Sequence, residues 1–215
     1  MSLIAYLTDF GDPYLTVPLS ALILGWIATT HSLRAAALWS GGIGIGAALV
    51  AASRIAHVAW GVEIAAWHFT VVSGHAMLAS AVYPTALALC DNRGPGASRS
   101  APYLGGLGFA AAIGASRVLL GYHSPIEVIS GLLSGGLVAM LMRARLAVVP
   151  SRFAKAGGVA LPDPARFAAA ALAAVVMYHG RIAPVSASID RDAERIVQWG
   201  TAPAARSAAA RPDAE

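Results

Sequence analysis

The chain is 215 residues long and is dominated by apolar side chains. Apolar residues make up 57% of it, only 12% are charged, and the mean hydropathy is +0.65. A soluble globular domain carries roughly 25% charged residues, so this composition excludes an ordinary soluble protein and indicates a lipid environment. The net charge of +4 at pH 7 comes without a basic face or recognition motif, which argues against a nucleic-acid partner.

The chain begins with an acidic segment and continues as a series of apolar blocks. Residues 1–13 carry Asp9 and Asp12 and no basic stretch, which favours a retained first helix over a cleaved signal peptide. The blocks are about 20 residues long, the length an α-helix needs to cross the bilayer core. We therefore predict an all-α, polytopic membrane helix bundle with about six transmembrane helices. They lie near residues 14–30, 35–53, 70–90, 101–121, 125–142 and 166–179.

Glycines recur at helical spacing within these blocks. Gly42 and Gly46 form one small-x3-small pair, and Gly131 and Gly135 form another. Such pairs let helix backbones approach closely in lipid. An Ala- and Gly-rich chain also produces such pairs by accident, and the sequence leaves both explanations open.

Basic residues predict how the helices are oriented. Cytoplasmic links of membrane proteins carry an excess of Lys and Arg, and most such residues here fall in alternate links. This places the N-terminus outside and leaves only Arg54 and Arg117 near outer helix ends, where they need another explanation. The residues assigned to the inner side are Arg34, Arg93, Arg99, Arg143, Arg145, Arg152, Lys155 and Arg166.

The last part of the chain differs in composition. From residue 183 it is rich in Ala, Pro, Ser and charged residues, which is typical of disorder. We predict a membrane-embedded domain over residues 1–182 and a polar, disordered tail over residues 183–215. Within the tail, residues 189–199 are compatible with a short amphipathic stretch on the outer surface.

Two polar motifs mark the outer ends of predicted spans. Ser73, Gly74 and His75 open the third span, where free backbone N–H groups at a helix start favour an anion. Taken alone, Ser73 is equally explained as a helix cap and His75 as an interfacial histidine. Ser116 and Arg117 end the fourth span on the same face. Arg117 taken alone is also explained as a snorkelling side chain.

His123 and Glu127 follow at fixed spacing. The pattern S-R-x5-H-x3-E, downstream of S-G-H, resembles the signature of the type 2 phosphatidic acid phosphatase superfamily. That superfamily includes lipid phosphate phosphatases, bacterial acid phosphatases and vanadium haloperoxidases. The resemblance covers about residues 50–142, and two ordered motifs on one membrane face are far more specific than either alone.

The resemblance implies a role for each motif residue. His123 would be the nucleophile that forms a phosphohistidine, Glu127 would orient its imidazole, and His75 would protonate the leaving alcohol. The phosphate would be held by the remaining motif residues, Arg117, Ser73, Ser116 and the Gly74 amide. Glu127 also fits a capping box that begins at Ser124, and the two readings are compatible. The family normally has Asp at this position.

The first family motif, K-x6-R-P, is where the sequence departs from the pattern. Its nearest counterpart is Arg54, which either replaces the Lys as a phosphate ligand or anchors the helix at the interface. Between the second and third spans, His57, Glu63 and His68 could form a metal site with His75. Their spacings match no compact metal motif, so we expect no metal and no cofactor.

These observations predict a metal-independent phosphatase domain over residues 1–182 of a multi-pass protein in a bacterial-type inner membrane. Its active site would face the periplasmic or extracellular side. The partners would be membrane lipids and a lipid phosphate substrate of the prenyl pyrophosphate, phosphatidic acid, phosphatidylglycerol phosphate or lipid A type. The alternative is a catalytically impaired member that binds lipid headgroups. A small transporter is disfavoured because the polar residues gather at one face, and haloperoxidase chemistry because those enzymes are mostly soluble.

Overall fold

The computed structural model describes residues 2–90, 100–148 and 163–209, and this part of the chain is all-α, as predicted. Short 3-10 turns occupy Asp9–Gly11 and Ala65–Trp67. The α-helices are α1 (Leu3–Thr8), α2 (Pro13–Thr30), α3 (Leu33–Trp60), α4 (Gly74–Cys90), α5 (Ser100–Leu119), α6 (Pro125–Val148), α7 (Pro164–Tyr178) and α8 (Val185–Ala209). Helices α2 to α7 correspond one by one to the six predicted spans.

Local capping explains where several helices begin and end. Asp12 caps α2 and Asp163 caps α7 in the same way, each accepting a hydrogen bond from the backbone N–H two residues on, with Pro at the first helical position. Ser32 caps α3 through the N–H of Ala35. At the other end of α3, Gly61 has φ of 65°, a left-handed conformation that glycine adopts without strain.

Helix α4 lies at the centre of the bundle. Every residue from 76 to 86 is buried, so this helix is covered all round, as an apolar core helix should be. Helices α5 and α6 lie directly against it. Gly106 of α5 packs on the backbone of Pro84, while Gly131 and Gly135 of α6 pack on the backbone of α4.

Both small-x3-small pairs lie at helix contacts. A Cβ on Gly42 would come within 2.9 Å of Val138, and one on Gly46 within 2.8 Å of Met77. The Gly131 and Gly135 pair meets α4 even more closely. The spacing therefore marks helix contacts here, and accidental pairing is wrong for both.

Three helices in the described part of the chain are long and apolar enough to cross a membrane: Pro13–Thr30, Leu33–Trp60 and Pro125–Ala147. Gly74–Cys90 and Pro164–Tyr178 are shorter apolar helices. Large apolar side chains such as Ile45 (74% exposed) and Leu133 (68% exposed) point out of the bundle, where lipid would cover them. The chain is a membrane-type helix bundle, and the count of six spans stays a prediction.

The helices run up and down, so one end of the bundle collects the ends of most of them. There α3 approaches the start of α4, with the N–H of Val72 donating to Ser53 Oγ at 3.0 Å. The start of α4 meets the start of α6, with Ser73 N donating to the Glu127 carbonyl oxygen at 3.1 Å. The α7–α8 link reaches the start of α2, with Ala183 N donating to Asp12 Oδ1 at 2.9 Å. We call this the motif end.

The C-terminal segment differs from the predicted disordered tail. Val185–Ala209 forms α8, which packs against α3. The predicted amphipathic stretch of residues 189–199 lies within this helix, and Ala193 is fully buried there. Arg93, Arg99, Arg152 and Lys155 lie outside the described residues, and the side of the membrane that each end faces stays a prediction.

Candidate active site

Glu127 lies at the centre of the motif end and is almost fully buried, with 4% of its surface exposed. Its Oε1 accepts hydrogen bonds from the backbone N–H of Thr70 (2.8 Å), the hydroxyl of Thr70 (2.5 Å) and the backbone N–H of Val71 (3.1 Å). These contacts tie the start of α6 to the segment that precedes α4. A buried carboxylate is tolerated because its oxygens have these donors.

The second carboxylate oxygen of Glu127 faces His123. Oε2 lies 2.8 Å from His123 Nδ1 and accepts from the backbone N–H of Ser124 at 3.1 Å. Since an ionised carboxylate only accepts, Nδ1 carries the proton and Nε2 presents its lone pair. The N–H of Glu127 lies 3.4 Å from Ser124 Oγ, which completes the capping box. The geometry of Glu127 is therefore compatible both with orienting His123 and with the capping box that begins at Ser124.

Burial adjusts the protonation of His123, which lies in the loop between α5 and α6. Burial lowers the pKa of its imidazole, and this outweighs the opposite effect of the Glu127 hydrogen bond and charge. The nearby charges of Arg117 and Arg54 also favour the neutral ring. A neutral imidazole with its lone pair on Nε2 is the form in which histidine can act as a nucleophile.

Ser73 and Gly74 lie where the S-G-H motif predicts, at the start of α4. Ser73 is fully buried, and its Oγ has no hydrogen-bond partner among the described residues. Its hydroxyl therefore does not cap α4, and the cap explanation is wrong. A buried hydroxyl without a partner is costly, and a phosphate oxygen beside the helix start would satisfy it.

Arg117 reaches the motif end from the last turn of α5. Its guanidinium lies over the ring of Tyr122, 4.3 Å from the centroid, and Nη1 lies 3.4 Å from Thr8 Oγ1. Its buried Nε has no partner within the described part of the chain. A snorkelling arginine would extend towards water, whereas this side chain is partly buried among the motif residues. Ser116 beside it is buried, and its hydroxyl donates to the carbonyl oxygen of Ile113 at 2.6 Å. The hydroxyl proton of Ser116 is therefore used in a hydrogen bond within α5.

His75 meets a group that the sequence motifs do not include. Its Nε2 lies 3.7 Å from Asp12 Oδ2, and Asp12 is 2% exposed. Gly11 lies against the same imidazole, since a Cβ there would come within 3.0 Å of His75 Cβ and 2.7 Å of Ile113. The segment from Thr8 to Asp12 therefore covers one side of the site and brings a carboxylate to His75.

Arg54 lies near the site but has a partner of its own. Its Nε and Nη2 donate to the two oxygens of Asp190 on α8, at 2.7 and 2.8 Å. This bidentate pair binds α8 to α3. Hydrogen bonding to Arg54 lowers the pKa of the Asp190 carboxyl. The structure thus gives Arg54 a structural contact, and its role as a phosphate ligand stays a prediction.

The remaining polar residues of the α3–α4 link do not assemble with His75. Glu63 and His68 are exposed, and His57 Nδ1 lies 3.1 Å from the carbonyl oxygen of Val62. In residues 2–90, 100–148 and 163–209, no group of three or more His, Cys, Asp or Glu side chains is placed to hold a metal ion.

Comparison with known families identifies the region that holds these motifs. Residues 59–149 match the model of the PAP2 superfamily. This part of the chain belongs to the PAP2 superfamily. The matched residues include His75, Arg117, His123 and Glu127, whereas Arg54 and Asp12 precede them.

A similar protein is known from Klebsiella pneumoniae, described as an uncharacterized 22.5 kDa protein in the cps region. It is 36% identical over 127 residues, which are 59% of this chain and 61% of that protein. The match therefore spans less than two thirds of the relative. No solved structure matches the chain.

Sequence reasoning found the PAP2 motif residues and missed the groups that contact them. Thr70 and Val71 act through backbone N–H groups, which leave no trace in a sequence pattern. Asp12 was noted only for its charge. Its Asp-Pro dipeptide predicts a helix cap, and that cap is present, but nothing local indicates that the other carboxylate oxygen faces His75.

Proposed function

We propose that this PAP2-superfamily chain is a metal-independent phosphatase that removes phosphate from a lipid-linked phosphate or pyrophosphate. The observation that carries the proposal is the pair of His123 Nδ1 and Glu127 Oε2, 2.8 Å apart. It leaves Nε2 of a neutral imidazole available at a site where Ser73 Oγ and Arg117 Nε are buried without partners among the described residues. Those two groups suit the charged oxygens of a phosphate.

The proposed reaction has two steps. In the first, His123 Nε2 forms a bond to phosphorus, the bond to the leaving oxygen breaks, and His75 gives that oxygen a proton. In the second, His75 takes a proton from water, the water oxygen bonds to phosphorus, and the phosphorus–nitrogen bond breaks. Arg117, Ser73 and the Gly74 amide would stabilise the equatorial oxygens in both steps. Ser116 and Arg54 are further candidate phosphate ligands.

A lipid-linked substrate fits the surroundings of the site. The motif end lies at the end of an apolar bundle, so a lipid tail could stay in the membrane while its phosphate meets His123. We further propose that the protein lies in a bacterial-type inner membrane with this end on the non-cytoplasmic side. Prenyl pyrophosphates, phosphatidic acid, phosphatidylglycerol phosphate and lipid A phosphates all meet this description.

The test is phosphate release by the purified protein in detergent, from a panel of these lipids, with EDTA present throughout. We expect release from at least one lipid and an acid-labile phosphoryl group on the protein after rapid quenching. His123→Ala should abolish both, while His57→Ala, which changes a histidine outside the motifs, should retain both. Activity that disappears with EDTA and returns with Zn²⁺ or Mg²⁺ would contradict metal independence.

The second candidate is a catalytically impaired member that binds lipid headgroups. The observation that favours it is Arg54, which stands where the family motif K-x6-R-P supplies cations and is already paired with Asp190. If no lipid in the panel releases phosphate while vesicles containing phosphatidic acid still bind the protein, this second function replaces the first.

A further inference from the structure

The residue that carries a further inference is Asp12, which precedes the PAP2 region and belongs to none of its motifs. Its Oδ1 accepts hydrogen bonds from the backbone N–H of Tyr14 at 2.7 Å and of Ala183 at 2.9 Å. These two donors fix the carboxylate, and they leave Oδ2 directed towards His75 Nε2 at 3.7 Å. Asp12 thus caps α2 with one oxygen and faces the site with the other.

The arrangement places His75 between charges of opposite sign. Asp12 faces it from the start of α2, Arg117 from the end of α5, and His123 from the loop before α6. Asp9 interacts electrostatically with both Arg117 and Asp12. Among these groups Asp12 is the carboxylate in closest contact with the imidazole. A carboxylate at this distance favours the protonated ring and orients it, while burial and the charge of Arg117 oppose protonation.

We propose that Asp12 is a positioning residue for His75, holding its imidazole and stabilising the imidazolium that donates a proton to the leaving oxygen. The inference rests on the proposed function, in which His75 is the proton donor. The 3.7 Å separation exceeds a direct hydrogen bond, and it shortens or is bridged by water once His75 is charged.

The charge can be removed without removing the cap. Asp12→Asn keeps an oxygen for the N–H groups of Tyr14 and Ala183, and Asn caps helices about as well as Asp. Asp163→Asn is the matched control, because Asp163 caps α7 before a Pro with the same geometry, away from the site. A loss of activity that arises only from weaker helix capping would appear in both variants.

The decisive measurement compares two substrates in one preparation. A proton donor matters most for an alkyl phosphate, whose alkoxide leaves poorly, and little for p-nitrophenyl phosphate, whose phenolate leaves easily. The quantity to compare is kcat/KM, because it reports formation of the phosphohistidine, the step in which His75 protonates the leaving oxygen. We expect Asp12→Asn to lower kcat/KM for an alkyl phosphate such as phosphatidic acid by about 10–100-fold, a part of the roughly 10²–10⁴-fold that general acid catalysis contributes. Its kcat/KM for p-nitrophenyl phosphate should stay nearly unchanged, because that leaving group needs little protonation.

The ratio of the two rates does not depend on how much protein is folded. It therefore separates positioning from stability, and Asp12→Ser, which also caps without charge, should give the same ratio. His75→Ala should also slow the alkyl phosphate far more than p-nitrophenyl phosphate. Adding Asp12→Asn to His75→Ala should change this ratio little. The inference is overturned if Asp12→Asn slows both substrates equally or neither, or if Asp163→Asn matches it. If the wild-type protein hydrolyses neither substrate, the proposed function itself fails.

Discussion

Glu127 has both a structural and an electrostatic role at the motif end. Its two oxygens receive hydrogen bonds from Thr70, Val71, Ser124 and His123, so it joins the loop before α4 to the loop before α6. The family normally has Asp at this position, and the extra methylene of Glu lets one carboxylate reach both loops. The nucleophile proposed here is thus oriented by a group that the fold itself depends on.

The pH dependence of turnover should report the protonation of His123. Burial lowers its pKa below the usual 6.5, and only the neutral ring can attack phosphorus. With p-nitrophenyl phosphate, whose leaving group needs little protonation by His75, we expect kcat/KM to be level at higher pH and to fall about tenfold per unit on the acid side, with the midpoint below 6.5. A pH series of initial rates measures it, and an acid-side midpoint above 7 would contradict the assignment.

Glu127→Gln should move the same midpoint further down. The Glu127 hydrogen bond and charge raise the pKa of His123 against the effect of burial, so removing the charge leaves burial unopposed. The lowered pKa of His123 also makes folding stability depend on pH. Below pH about 6.5 the unfolded chain binds a proton at His123 more readily than the folded protein does, so the free energy of unfolding falls as the pH drops.

Among the helices, α4 depends most on close backbone contact. Gly135 lies so near the carbonyl oxygen of Met77 that a Cβ would overlap it, while the adjacent Gly136 faces open space. We expect Gly135→Ala to destabilise the protein by about 1–3 kcal/mol, as overpacking does. Gly136→Ala should be neutral or stabilising by up to about 1 kcal/mol. Thermal unfolding in detergent distinguishes them, and equal melting temperatures would contradict the packing.

The Arg54–Asp190 pair between α3 and α8 allows a test of whether Arg54 binds phosphate or only holds the two helices together. If Arg54 binds phosphate, Arg54→Ala should raise KM by roughly 10–150-fold, the value of hydrogen bonds to a charged group. Asp190→Asn should then leave KM unchanged or lower it, because it frees the guanidinium. Asp192→Asn, which breaks the exposed pair with Arg195 on the same helix, is the control. Equal increases in KM for the Arg54 and Asp190 variants would mean that Arg54 only holds α8.

The sequence predicted the helices far better than their contacts. Apolar blocks of bilayer length located α2 to α7, because a spanning helix must be apolar along its whole length. For α8, the sequence predicted only the amphipathic stretch of residues 189–199, because the polar composition around it is typical of disorder. His123 and Glu127 were predicted as a pair because they lie four residues apart at a helix start. Asp12 and His75 meet only through the packing of α2 on α4, which no local pattern encodes.

For the whole molecule, the distribution of basic residues sets the expected orientation. Within the described residues, Arg34, Arg143, Arg145 and Arg166 lie near the helix ends opposite the motifs, whereas Arg54 and Arg117 lie at the motif end. Arg54 and Arg117 are engaged with Asp190 and with Thr8 and Tyr122. By the positive-inside rule, we therefore expect the opposite end to lie in the cytoplasm.

Reporter fusions test this orientation. An even number of spans returns the chain to its starting face, so alkaline phosphatase fused after residue 215 should be active, since it folds only outside the cytoplasm. The same reporter inserted in the α6–α7 link should be inactive, and a cytoplasmic reporter should show the opposite pattern at both sites. The reverse result would place His123 in the cytoplasm. The substrate would then have to be a phosphorylated lipid exposed on the inner leaflet, because the proposed phosphate site lies at the motif end.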